Sequence, residues 1–417
     1  MPEPFDNLVV DIIAGLIVAA ILTALAWLWR RGKPPTAAPQ APTPPGQDSL
    51  TFRAGDRTVS LKDVHVGGDL NIYVDGLPQA KPEVRDPFRE GQRLQQADQH
   101  DAAIAQFEKA FTAAKNDRQR CALQLLIGNS LLDLGRLPDA EARYAEALRL
   151  GRAAADRQGQ TAALGNLGIV YHWRDDVARA EEHHQAALAI YERLDDRPGQ
   201  AAQLVNLGSV YLHRSDPDGA EVMYRRALAI HEELGRTADQ AELLGYLGLL
   251  HRKRGRLAQA EEHHRKALAI HEEIGNWPGQ ANQLRNLGLV YFERNELDKA
   301  EEHHRKALAI DEEIGNRSGQ AQDLGNLGLV YERRGELDEA EALHKKALAL
   351  HDEIDDRFGQ ADILVNLGLL AGRRGDAPQA LRYLHEARRI FAEAGVSPNV
   401  EKVDGLIEMV AKGPPGP

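Results

Sequence analysis

The chain has 417 residues, is 43% hydrophobic and 27% charged, and carries a formal net charge of −12 with only 5% aromatic residues. That length holds two or three ordinary domains or one long array, and the scarcity of aromatics disfavours an all-β sandwich and suits Ala/Leu-rich helices. The acidic balance argues against a nucleic-acid partner, since a phosphate backbone is met by clustered Lys and Arg, and the single cysteine, Cys121, permits no internal disulfide and fits a reducing compartment.

In chain order, the first element is a stretch over 12–29 that is apolar throughout apart from Thr23. Its eighteen residues make a helix of roughly 27 Å, close to the ~30 Å hydrocarbon core of a bilayer. With residues 8–10 added, a transmembrane helix is expected over 8–29. Trp27 and Trp29 fall where an aromatic belt would lie, and Arg30, Arg31 and Lys33 follow at once, while the N-terminal flank holds Glu3 and Asp6 and no cation. Cationic flanks stay in the cytoplasm. The expected topology is therefore single-pass in an inner or plasma membrane, with the N-terminus outside and the rest cytoplasmic. A signal peptide would need a basic n-region and a small-residue cleavage site, both missing here. A buried soluble helix is the other reading, but nothing else in the chain could cover a helix apolar on all sides.

Residues 30–50 combine the basic flank with a linker containing Pro34, Pro35, Pro39, Pro42, Pro44 and Pro45. Such a composition gives an extended, semi-stiff spacer. A small β-hairpin-like element is expected over 51–80. Val64 and Val66 alternate, as do Leu70, Ile72 and Val74, with Gly67 and Gly68 between them. A lone hairpin is marginal in water, so this one is expected to pack on the repeats or to support self-association. The Gly-Gly-Asp at 67–69 lacks the repetition of a calcium-binding nonapeptide.

From about residue 85 a pattern returns every 40 positions. Asn286, Leu287, Gly288, Leu289, Val290 and Tyr291 reappear as Asn326, Leu327, Gly328, Leu329, Val330 and Tyr331. A fixed period of this length marks a solenoid of copied units. In the unit 281–320, Leu284, Leu287 and Tyr291 share one helical face, which defines a helix A. Gly288 lies inside that face. A mid-helix glycine costs roughly 1 kcal/mol relative to alanine, which makes sense if a second helix must come close there. Asn295 ends helix A, with Gly255, Gly335 and Gly375 at the same place in other units; both types tolerate the left-handed backbone of a helix terminus. Helix B then carries Ala300, His304, Ala307 and Leu308 inward. Glu301 and Glu302, four residues before Arg305 and Lys306, mark a solvated outer face.

Leu287, Gly288, Tyr291, Ala300, His304 and Ala307 stand in the order of the tetratricopeptide signature, and the chain resembles that family over 85–411. The resemblance implies an all-α, right-handed superhelical solenoid. About eight units fit in 85–394, the first degenerate, with a capping helix at 397–412 and a disordered tail at 413–417. The period of 40 instead of the family's 34, the histidine at the aromatic position and the missing closing proline are departures. The longer unit looks like those of kinesin light chain and the Pins-type spindle-orientation adaptors, whose inner groove takes extended peptides. The fresh duplications also resemble bacterial, notably actinobacterial, repeat proteins fused to signalling or defence modules, although no such module is present here.

The same resemblance assigns helix A to the groove. It places Asn166, Asn206, Tyr246, Asn286, Asn326 and Asn366 in a ladder two residues before each glycine, and in the related adaptors the matching asparagines hold peptide backbone. An amide offers donor and acceptor together; the alternative role is to bond the neighbouring unit and stiffen the stack. Ile169, Leu249, Leu289, Leu329 and Leu369 lie beside the ladder as apolar pockets. Arg252, Lys253, Arg285, Arg333 and Arg373 add positive charge, and Glu293, Glu332 and Asp362 add negative charge. The arginines raise the expectation of an acidic peptide.

The pairs His183-His184, His263-His264 and His303-His304 invite a metal reading, but adjacent helical residues diverge by about 100° and lack the spacing of a zinc helix. The second of each pair occupies the aromatic core position, where half-burial could make it respond to pH. No phosphate loop, dinucleotide fingerprint or nucleophile elbow is present. The expected protein is a non-enzymatic, membrane-tethered scaffold or adaptor that binds a protein or peptide and needs no cofactor or metal. The alternatives are a self-associating structural scaffold, or an envelope-assembly protein with its repeats outside the membrane.

Overall fold

A left-handed residue recurs every twenty positions through the repeats: Asp175, Asp195, Ser215, Gly235, Gly255, Gly275, Asn295, Gly315, Gly335, Asp355 and Gly375 all have positive φ. From Gly135 to Gly375 this backbone turn ends each helix of the repeats and gives them nearly equal length. At one such turn the N–H of Gly315 bonds the carbonyl of Glu312 at 3.2 Å and the N–H of Asn316 bonds that of Asp311 at 2.8 Å, which satisfies the last carbonyls of the helix. Asn316 then starts the next helix, its side chain accepting from the Gly319 N–H at 3.2 Å. Asp196, Asp216, Asn276 and Asp356 cap in the same way.

The structure is a computed structural model and describes residues 51–54, 57–60, 77–394 and 397–412. The expected transmembrane helix at 8–29, the linker at 30–50, the 64–74 hairpin and the tail at 413–417 lie outside these residues. A short antiparallel pair, β1 (Thr51–Ala54) and β2 (Arg57–Ser60), sets Thr51 opposite Ser60 and Ala54 opposite Arg57.

The remaining elements are helices. In order they are α1 (Pro82–Gln96), α2 (His100–Ala113), α3 (Asp117–Asp133), α4 (Leu137–Ala153), α5 (Arg157–Trp173), α6 (Val177–Leu194), α7 (Arg197–His213) and α8 (Pro217–Glu233). They continue as α9 (Thr237–Lys253), α10 (Leu257–Glu273), α11 (Trp277–Glu293), α12 (Leu297–Glu313), α13 (Arg317–Arg334), α14 (Leu337–Glu353), α15 (Arg357–Arg373), α16 (Ala377–Glu393) and α17 (Ser397–Lys412). Odd-numbered helices from α5 to α15 carry the Leu-Gly segment, and α1 and α3 have Gly91 and Gly128 at the same place, so the odd-numbered helices up to α15 are the A helices and the even-numbered ones are the B helices. Among the described residues no helix is long and apolar enough to cross a membrane.

Two compact units divide the chain, one ending at Leu243 and one beginning at Leu244. Within each, an A helix packs on its own B helix and that B helix on the next A helix, while A helices such as α3 and α5, or α11 and α13, also touch each other. The result is an all-α solenoid. The glycine of each Leu-Gly segment makes the A–B contact possible. A Cβ on Gly288 would sit 2.6 Å from the His304 ring, and one on Gly208 would sit 2.4 Å from the Tyr224 ring. The first unit has a core running from Leu77 through Phe107, Tyr144 and Leu167 to Val210. In the second, Phe358, Phe391, Val403 and Leu406 gather where α17 covers the last pair.

Hydrogen bonds join successive pairs. Gln320 Nε2 donates to the Asp311 carbonyl at 2.8 Å, and Gln160 Nε2 donates to the Gly151 carbonyl at 3.1 Å. On the B side Glu301 accepts from Arg305 on its own helix at 2.8 Å and from Tyr331 Oη on the next A helix at 2.7 Å, and is paired with Arg334. Burial works to raise the Glu301 carboxyl, but these three donors outweigh it and hold it at about 2. Glu141 with Tyr171 and Arg174, Glu181 with Tyr211 and Arg214, and Glu261 with Tyr291 and Arg294 repeat the arrangement. The expected solvated face is therefore also a bridge between units.

Candidate functional site

In the second unit the A helices leave one face uncovered. Asn286, Asn326 and Asn366 stand two residues before the core glycines of α11, α13 and α15, and Asn282, Gln322 and Asp362 stand one helical turn earlier on the same side. Asn282 and Gln322 are exposed, and Asn326, Asn366 and Asp362 are half-buried. Asn286 is 8% exposed and its Nδ2 reaches Asn282 Oδ1 at 3.4 Å. Leu289 and Phe292 are half-buried, while Leu329 and Leu369 are buried. The strip therefore alternates amides with apolar ground. Tyr246 and Leu249, on α9, are also half-buried.

The asparagines of the first unit are placed differently. Asn166 and Asn206 are each 3% exposed. Asn166 Nδ2 donates to Asn129 Oδ1 at 3.1 Å, and Asn129 Oδ1 also accepts from Tyr144 Oη at 2.8 Å. One turn before the ladder stand Ala122, Ala162 and Ala202, all buried. These helices are closed over by their neighbours, so Asn166 bonds within the stack and presents nothing to a ligand. Ile169 is buried with it.

The expected groove cations are largely matched inside the protein. Arg285 is the clearest correction. Its guanidinium lies inside the stack, with Nε on Asp323 at 2.9 Å and Nη2 shared between Asp311 and Asp323. Both carboxylates are fully buried, and Asn316 Nδ2 also donates to Asp311 at 2.8 Å. Burial pushes the Asp311 carboxyl up, and Arg285 opposes that shift. Toward the ends of several A helices, residues of neighbouring A helices meet at a fixed offset: Arg252 pairs with Glu293, Arg333 stacks 4.3 Å over the Phe292 ring, and Arg373 pairs with Glu332 at 3.2 Å. In the first unit the same offset brings the His172 and His213 rings to 5.0 Å. Burial and Arg252 together lower the Lys253 ammonium. An excess of open positive charge is not what this face offers.

His184, His264, His304 and His344 are buried beneath the core glycines instead of half-buried. His184 Nδ1 meets Gln203 Oε1 at 2.9 Å and His264 Nδ1 meets Gln283 Oε1 at 2.8 Å. Burial pulls both rings down to about 4, so they stay neutral through the physiological range. The first histidines face outward: His183 and His303 donate from Nδ1 to backbone carbonyls at 2.8 Å and lie against the rings of Tyr171 and Tyr291. Among the described residues no cluster of three or more His, Cys, Asp or Glu could hold a metal ion.

Asn282 and Gln322 were not singled out by sequence reasoning. The available signal was the change from Ala122, Ala162 and Ala202 to Glu242, Asn282, Gln322 and Asp362 at one repeat position.

A family model described as tetratricopeptide repeat matches residues 159–233, 239–313 and 320–393. No curated protein matches the sequence. Solved structures share the fold at low identity. The apo form of RapI has a TM-score of 0.61 at 18% identity, covering 79% of this chain and 97% of that one. A signal transduction ATPase with numerous domains and a tetratricopeptide repeat sensor, from Pyrococcus horikoshii, has a TM-score of 0.59 at 16% identity, covering 69% of this chain and 46% of that one. The apo quorum sensor NprR from B. thuringiensis has a TM-score of 0.57 at 16% identity, covering 78% and 98%.

Proposed function

The chain belongs to the tetratricopeptide repeat family, and on that premise we propose that it is a membrane-tethered interaction scaffold that holds an extended peptide of a partner protein on α11, α13 and α15. The observation that carries this reading is the amide strip. Asn282, Asn326 and Asn366 reach the surface of three successive A helices, and an amide matches the alternating N–H and C=O of an extended backbone without demanding one sequence. Leu289 and Phe292 supply apolar ground for alternate side chains. Two proteins of the same fold are described as a quorum sensor and as an ATPase with a repeat sensor, which supports a recognition role for the stack. The apolar run at 12–29 followed by Arg30, Arg31 and Lys33 supports a tether that keeps the repeats at the cytoplasmic face of an inner or plasma membrane. Chemistry is assigned to the partner, not to this chain.

The test is retention of random nine-residue peptides by the whole chain. A variant carrying Asn326→Ala and Asn366→Ala is expected to lose about tenfold in affinity, the loss of one or two hydrogen bonds. Equal retention by the double variant and the parent would remove the strip from the binding site.

A further inference from the structure

Asp362 sets the last rung of the strip apart. At the equivalent positions of α11 and α13, Asn282 and Gln322 are neutral amides, so along α11, α13 and α15 the step to aspartate introduces a charge; the acid Glu242 holds the same position on α9. It precedes Asn366 by four residues and shares its face. Its side chain is half-buried, and Oδ1 is turned away from solvent and meets no hydrogen-bond donor. Nearby acids on the A helices are engaged, Glu293 by Arg252 and Glu332 by Arg373, while Asp311 and Asp323 lie inside the stack on Arg285. The charge acting on Asp362 from the neighbouring helix is that of Lys402 on α17. Burial pushes the Asp362 carboxyl up to about 7, with Lys402 pulling the other way, so Lys402 only partly offsets the lost hydration.

We propose that Asp362 recognises a cationic side chain, lysine or arginine, of the peptide laid along α13 and α15, so that the preferred partner is a basic rather than an acidic extended segment. The proposal rests on the peptide-binding reading above and gives it a chemistry. A half-desolvated carboxylate with one oxygen lacking a donor gains from an ammonium or guanidinium more than a fully hydrated one does, because the field between them is less screened. The amides of Asn326 and Asn366 would hold the flanking backbone and fix the register of that cation. The arginines do not favour the opposite sign, because Arg285 and Arg373 are already paired with carboxylates and Arg333 lies flat on a ring.

The experiment offers the whole chain three sets of random nine-residue peptides, each carrying one Lys, one norleucine or one Glu, and reads the bound fraction by mass spectrometry. The Lys set is expected to be enriched about tenfold over norleucine, and Glu to fall below both. Asp362→Asn should bring the Lys-to-norleucine ratio to about one while keeping backbone-driven retention, and Asp362→Glu should keep the preference. The double variant Asn326→Ala with Asn366→Ala should lower all three sets alike. A Lys preference unchanged by Asp362→Asn, or enrichment of the Glu set by the parent chain, overturns the assignment of Asp362 and leaves the peptide site standing. Retention of none of the sets by a helical, folded parent chain overturns the peptide reading itself.

Discussion

The A helices before Leu243 and those after Leu244 have nearly the same length, similar turns and the same close contact of a glycine with the following B helix, yet they treat polar side chains in opposite ways. In the first unit Ala122, Ala162 and Ala202 let adjacent helices close, and Asn166 bonds Asn129 inside the stack. In the second unit Asn282, Gln322 and Asp362 stand at the same position, and Asn326 and Asn366 reach the surface. The second unit also buries charge, through Arg285, Asp311 and Asp323, where the preceding pair has Gly245, His271 and Gln283. A repeat scaffold can therefore carry a stiff segment and a recognition segment on one backbone plan, with the difference confined to a few positions per unit.

The largest test of this contrast is Arg285→Met. It leaves Asp311 and Asp323 buried without their guanidinium, and a cost of about 3–5 kcal/mol is expected in urea unfolding followed by circular dichroism. The triple change Arg285→Gly, Asp311→His and Asp323→Gln copies the preceding pair and should recover most of that loss. If the single variant is as stable as the parent, the cluster does not hold the second unit together.

Asp362→Asn probes the cost of the desolvated acid. Its folded value near 7 lies above the ordinary unfolded value of about 3.9. The folded state therefore binds more protons between these values, and the parent loses stability relative to the variant as pH rises through that window. Near pH 4 the two should unfold at the same denaturant concentration. Above pH 7 the variant should be ahead by on the order of 2 kcal/mol. A constant difference across the range would show that the carboxyl titrates normally.

The smallest effect separates the two ladders directly. Asn166→Ala removes a bond within the stack and should cost about 1 kcal/mol. Asn326→Ala removes a half-buried amide and should change stability by less than about 0.5 kcal/mol. Thermal melts of the two variants, read side by side, should rank them in that order. Equal costs would mean that Asn326 is as structural as Asn166.

Much of the fold was legible because its determinants are local and periodic. Gly288 and His304 are sixteen residues apart in one unit, and the same pairing recurs at Gly168 with His184 and at Gly328 with His344. Asn295, Gly255, Gly335 and Gly375, read from sequence as helix ends, all have positive φ. The candidate site was only half legible. The asparagine ladder is visible in the sequence, but only the residue one turn earlier, Ala162 against Gln322, hints that Asn166 is bonded to Asn129 across the stack while Asn326 is at the surface. The histidine ring was placed at the core position by its spacing, but its depth was not, and that depth is what keeps it neutral.

The sequence by itself determined the helical solenoid, its period, its turns and the glycine beneath each ring, since each depends on residues within one unit and is repeated until it cannot be missed. Only the tertiary structure decided which polar side chains are spoken for. Arg285 looks like a groove cation until helices bring Asp311 and Asp323 to it from 26 and 38 residues away. Glu301 looks like half of a surface ion pair until Tyr331 arrives from 30 residues on. Whether a charge or an amide is available to a partner is set by what the next helix places against it, and that is a property of the packed neighbours and not of the repeat that carries it.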